Sequence, residues 1–133
     1  MSHGLAGGRE RLSVLVVDDD LQQRRYWVRM LEAAGHHVVS VASGPEAVSA
    51  LSGPAVDLLL IARGLPRMDG IQLAALVRRH RPDLGLVLVD PSATFDGVVS
   101  AFEAGVDEVL EPPVSQRDLS RALRSARARR AAI

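Results

Sequence analysis

The chain has 133 residues, 47% of them hydrophobic, enough for one domain that buries roughly two-thirds of the surface its unfolded form exposes. It has no cysteine, which excludes structural disulfides and thiolate zinc centres, and its 16 basic residues are all arginine, which excludes chemistry that needs a lysine amine. Sixteen acidic residues balance them, so no net charge draws the chain toward nucleic acid or an anionic membrane.

Residues 1–11, MSHGLAGGRER, are Gly-rich and polar and read as a flexible N-terminal segment. They lack the apolar core of a signal peptide, and no later run approaches the roughly 18 apolar residues of a membrane span. The expectation is a soluble, cytoplasmic protein with no membrane partner. From Leu12 a regular alternation begins. LSVLVV is a continuous apolar strand, and QQRRYWVRMLEAAG a helix with Trp27, Met30, Leu31 and Ala34 at i, i+3, i+4 and i+7, ended by Gly35. HVVSVA is a second strand, after which Ser43 caps a short helix with Pro45 in its first turn. VDLLLIA is the third strand, DGIQLAALVRRH its helix, and LGLVLV the fourth strand. The next helix carries Phe95, Val98, Val99 and Phe102 on one stripe, and VDEVLE is the fifth strand. After Pro112 and Pro113, Ser115 opens a last helix with Leu119 and Leu123 facing inward. Five apolar strands alternating with helices predict a parallel sheet covered on both faces. The domain is expected over 12–126, with 127–133 a basic helix end or linker.

Chemistry in such a sheet sits at the carboxyl ends of the strands. There VLVVDDD places Asp18, Asp19 and Asp20 where the first strand gives way to its helix. Asp20 alone suits a helix cap, worth roughly 0.3 to 1 kcal/mol. Two adjacent carboxylates repel unless a cation or proton resolves them, and a divalent metal is the usual resolution. The third strand ends on Ala62 in LLLIARGLPRMDG, and alanine has no chemistry to offer.

Taken with LPRMDG and AFEAGVDEVLEPPV, the acidic pair makes residues 12–126 resemble the receiver domain of bacterial two-component response regulators. The resemblance implies an α/β, flavodoxin-like (βα)5 single domain with a five-stranded sheet in order 2-1-3-4-5 and helices on both faces. It also implies phosphoryl transfer to an aspartate at the end of the third strand, with Mg²⁺ on the acidic pair, a hydroxyl after the fourth strand and a lysine after the fifth.

This chain departs from that pattern at each transfer position. Ala62 stands at the phosphoacceptor's place, Asp90 at the hydroxyl's and Pro112 at the lysine's, and Val109 replaces the aromatic of the fifth strand. No catalytic residue is therefore expected, and the module reads as a pseudo-receiver and not an enzyme. Asp18, Asp19 and Asp90 remain as a carboxylate pocket, either metal ligands for Mg²⁺ or neutralised by a guanidinium, for which Arg63 is nearest in sequence. Pro113 is expected to keep the family's cis peptide as a structural residue.

The basic residues Arg117, Arg121, Arg124 and Arg127, with Arg129 and Arg130 beyond, suit a solvated helix C-terminus better than a nucleic-acid face. His36 and His37 read as loop residues and Trp27 as packing. The functional expectation is a signalling module working by protein–protein interaction without phosphorylation. Its partner is a protein or a second copy meeting the fourth helix, fifth strand and fifth helix. The alternatives are phosphoryl acceptance by an unconventional carboxylate such as Asp19 or Asp90, and a nucleic-acid adaptor working through the arginine-rich tail.

Overall fold

Five strands and five helices alternate along the chain: β1 (Ser13–Val17), α1 (Leu21–Ala33), β2 (His37–Val41), α2 (Gly44–Ala50), β3 (Leu58–Ala62), α3 (Gly70–His80), β4 (Gly85–Val89), α4 (Phe95–Glu103), β5 (Glu108–Leu110) and α5 (Gln116–Ala131). The structure is a computed structural model that describes residues 10–53 and 55–131. All strand pairs are parallel, in the order β2-β1-β3-β4-β5. The sheet is thus the parallel one that the alternation predicts, in the flavodoxin-like order that the resemblance implies.

Why the strands read as unbroken apolar runs is plain from their burial. Successive side chains point to opposite faces, and both faces are covered. Val14, Val16, Leu58, Leu60 and Val87 pack with Trp27, Leu31, Leu119 and Leu123. Leu15, Val17, Leu59, Ile61, Leu86 and Leu88 pack with Leu73, Val77 and Ala101. Each fully buried aliphatic side chain contributes about 1.5–3 kcal/mol relative to exposure.

The helix ends follow the local chemistry of the sequence. Asp20, Ser43 and Thr94 accept backbone N–H bonds as N-caps of α1, α2 and α4, and Asp69 with Gln72 forms a reciprocal capping box on α3. Gly35 follows α1 at φ +95°, a conformation costly for any residue with a Cβ. The Pro112–Pro113 peptide is cis, as expected of Pro113.

Three expectations change. In α1 it is Trp27 and Leu31 that are buried, while Ala34 lies at the exposed C-cap. In α4 the stripe does not face the core: Phe95 is 83% exposed, Val99 and Phe102 are exposed, and Ala101 is the buried residue. α5 runs through Ala131, so 127–131 are a basic helix end, one of the two expectations for that stretch; residues 132–133 lie outside the described residues. Of the N-terminal segment, only residues 10 and 11 are described.

The third is His37, which opens β2; His36 lies in the loop before it, as expected, in a structural role. Its Nδ1 accepts a 3.0 Å bond from the Leu12 backbone N–H, which requires the neutral ring with its proton on Nε2. Burial pushes the His36 pKa below its ordinary 6.5, and the charge of Glu10 opposes that. The unfolded state therefore binds the proton more tightly than the fold does. The stability so gained is complete above about pH 6.5 and is lost as pH falls below it. Denaturant titrations from pH 7.5 to 5 should show that loss, and His36→Asn, whose Oδ1 can accept the same bond without titrating, should abolish this part of it.

Candidate functional site

The sheet register brings the predicted residues to one edge. Val17 is level with Ile61 and Ala62 with Val89, so Asp18 stands beside Ala62 and Asp90 one position past it. The ladder continues beyond the strands: Asp18 N–H donates to the Val41 carbonyl, Arg63 N–H to Val89 and Asp90 N–H to Leu110. α3 closes over this end. A Cβ at residue 70 would lie 2.4 Å from the Ala62 carbonyl oxygen, so only glycine lets the DG turn approach β3.

Asp90 is buried, at 3% exposure, and its carboxylate is fully engaged. Oδ2 accepts a 2.7 Å charge-assisted bond from Arg63 Nη1, and Oδ1 accepts the Ser92 N–H at 3.0 Å. Arg63 thus does for Asp90 what the guanidinium reading predicts. Its own side chain is about a third exposed (36%), so solvent screens part of the attraction.

Asp18 is in a different state. It is 7% exposed, its Oδ1 accepts the Asp20 N–H, and Arg24 donates to its backbone carbonyl and not to its carboxylate. Burial raises its pKa above 3.8, the Asp20 N–H bond opposes this, and the nearby Asp19 and Asp20 charges add to the rise. Asp19 is exposed.

A divalent cation needs several oxygens, and these residues do not fit one. Ala62 has no side-chain oxygen, and each oxygen of Asp90 already accepts a bond, one of them from a guanidinium. Among the described residues no three His, Cys, Asp or Glu side chains are gathered as a ligand set. Asp18, Asp19 and Asp90 therefore do not form the expected metal pocket, and no step through Mg²⁺ is derived.

Pro112 and Pro113 are exposed and line a groove with Gln23, Tyr26, Trp27 and Arg29, to one side of the carboxylates. The C-terminal arginines are partly committed internally. Arg121 and Arg129 lie 3.9 and 3.5 Å from Glu108, Arg127 3.3 Å from Glu10, and Arg130 2.9 Å from Asp107. That pairing weakens the case for a nucleic-acid face.

Sequence reasoning missed Asp107. Buried at 1% exposure, it accepts from the Leu86 N–H and pairs with Arg78 at 3.0 Å as well as with Arg130. Arg78 also donates to the carbonyls of Arg81, Pro82, Leu84 and Gly105. An acidic residue opening an apolar strand was the available signal.

The parallel doubly wound sheet in the order 2-1-3-4-5 is the fold of the CheY-like class. The chain belongs to the response regulator receiver domain family, which matches residues 14–124. It is 33% identical over 106 residues to the response regulator receiver protein CpdR of Brucella abortus, covering 80% of this chain and 88% of that one. It is 32% identical over 104 residues to the DNA-binding transcriptional regulator NtrC of Escherichia coli K12, covering 78% of this chain but only 22% of NtrC. It is 30% identical over 123 residues to the transcriptional regulatory protein TcrA of Mycobacterium tuberculosis H37Rv, covering 92% of this chain and about half (49%) of TcrA. The CheY-like receiver domain structure from Methanospirillum hungatei superposes with a TM-score of 0.84 at 25% identity, over 92% of this chain and 98% of that one.

Two stability measurements test the electrostatics. Arg63→Ala leaves the Asp90 carboxylate buried without a cation and should cost roughly 1–3 kcal/mol in urea unfolding. Asp90→Asn should cost less, because Arg63 can turn to water. Asp18→Asn keeps an oxygen for the Asp20 N–H and removes a charge that the fold disfavours. A carboxyl with a raised folded pKa favours the fold only below its unfolded value and loses that contribution as pH rises through the folded one. Asp18→Asn should therefore melt higher than the parent at pH 7, with the difference shrinking toward pH 3.8.

Proposed function

We propose that this receiver domain signals without accepting a phosphoryl group, by binding a protein through the surface of α4, β5 and α5. The observation that carries the reading is the Arg63–Asp90 ion pair beside Ala62. The three positions that the family resemblance assigns to nucleophile, hydroxyl and lysine hold an alanine, a buried carboxylate and a proline. Ala62 has no atom to form the acyl-phosphate bond. A phosphoryl dianion would lie against Asp90, where two like unit charges 4 Å apart repel by about 4 kcal/mol at an effective dielectric near 20. Pro112 offers no cation to offset that, and Arg63 already serves Asp90.

The interaction surface is supported by the exposed apolar groups of α4. Phe95, Val99 and Phe102 lie at i, i+4 and i+7, on one side of the helix. Aromatic residues held in water are the kind that anchor protein interfaces. Either a different protein or a second copy of this chain fits such a stripe. No chemistry is assigned to the domain, and its role is that of a binding module within a two-component pathway.

Incubation with acetyl phosphate and Mg²⁺ should leave the intact mass unchanged, and beryllofluoride should form no adduct. A stoichiometric gain of one hydroxylamine-labile phosphoryl group would overturn the reading and direct attention to Asp19 or Asp90 as acceptor.

A further inference from the structure

We propose that the Arg63–Asp90 ion pair is a latch that holds the first turn of α4 against the sheet, so that one salt bridge governs how firmly that helix is seated. The inference concerns the conformation of the chain alone and stands whether or not a phosphoryl group is ever accepted.

Core packing secures only one end of α4. Ala101, in its second half, is the buried residue, whereas Phe95 at its start is 83% exposed. In the first turn Gly97 and Val98 are only half-buried, so apolar burial alone does not hold it. The connection from β4 leaves Asp90, a residue fixed on three sides: its N–H donates to Leu110, its Oδ1 accepts from Ser92 and its Oδ2 from Arg63. The loop springs from a point whose only side-chain partner is the guanidinium.

Arg63 is itself anchored to the neighbouring strand and helix. Its N–H donates to the Val89 carbonyl at 2.9 Å, and its carbonyl accepts the Gly70 N–H at 2.8 Å. Its guanidinium reaches under α4: a Cβ at residue 97 would lie 3.1 Å from both Arg63 Nη1 and Thr94 Oγ1. Thr94 Oγ1 is the cap that accepts the Gly97 N–H. Cap, ion pair and helix start thus share one small space, which the lack of a side chain at Gly97 leaves open. Removing either charge frees the residue 90–94 connection and with it the turn it carries, while the rest of the sheet keeps its ladder.

Amide hydrogen exchange on the full chain tests this, because local opening is read residue by residue. Arg63→Met and Asp90→Asn should each speed exchange of the Gly97 and Val98 amides, which Thr94 holds, about tenfold, and Arg63→Lys should fall between parent and Met. The Arg63→Met/Asp90→Asn double variant should exchange no faster than either single one, as expected for two halves of one interaction. The first-turn amides of α1 that Asp20 caps, Gln22 and Gln23, should keep their rates. Unchanged exchange at Gly97 and Val98 in both single variants, or equal acceleration in α1, would overturn the proposal. Should Arg63→Met fail to fold, Asp90→Asn, nearly isosteric and still offering an oxygen to Ser92, carries the expectation by itself. Acetyl phosphate is absent throughout, so failure of the latch and failure of the phosphate-free reading are separate results.

Discussion

A carboxylate taken out of water must find a cation, a set of N–H donors or a proton, and the buried carboxylates of this molecule are met in three different ways around one sheet. Asp18, Asp90 and Asp107 are its buried polar residues among those described. Each lies just beyond the end of a strand, because a parallel sheet covered on both faces leaves no room for charge within it. Asp107 is met by two guanidiniums and a backbone N–H. Asp90 is met by one guanidinium and one N–H. Asp18 has an N–H but no side-chain cation, and its pKa rises accordingly.

These three solutions divide the labour of the fold. Asp107 fastens β5 to α3 and α5 at the end of the sheet away from the acidic pair, with Arg78 also gathering the loop carbonyls of Arg81, Pro82 and Leu84. Asp90 ties together the loops that follow β3 and β4. Arginine suits the Asp107 place, since its planar fork reaches several acceptors at once. At Asp90 the guanidinium of Arg63 makes one charge-assisted bond.

The fold was legible because its signals are local and repeated. Apolar runs such as LLLI and GLVLV, the caps at Asp20 and Ser43, and the stop at Gly35 each fix an element without reference to the others. The candidate site was legible by position but not by partnership. Counting along the chain brings Ala62 and Asp90 to one edge. Whether Asp90 meets a metal or a guanidinium depends on the reach of a side chain 27 residues away, which periodicity does not carry. α4 misled for a related reason: Phe95, Val99 and Phe102 have the spacing of a core stripe, and the same spacing serves a helix that turns its apolar side outward. His36 and Asp107 were opaque because each is defined by a bond to a distant backbone group, Leu12 in one case and Leu86 in the other.

Trp27 gives the molecule an optical property of its own. It is the sole tryptophan, and it lies buried with its ring 5.1 Å from that of Tyr26 in an edge-to-face arrangement, beside the groove that Pro112 and Pro113 line. Its emission therefore has a single origin, on the side of the sheet covered by α1 and α5. Excitation absorbed by Tyr26, the sole tyrosine, passes to it across that short distance. Trp27 lines the groove, so a change in its colour would report on that side of the sheet.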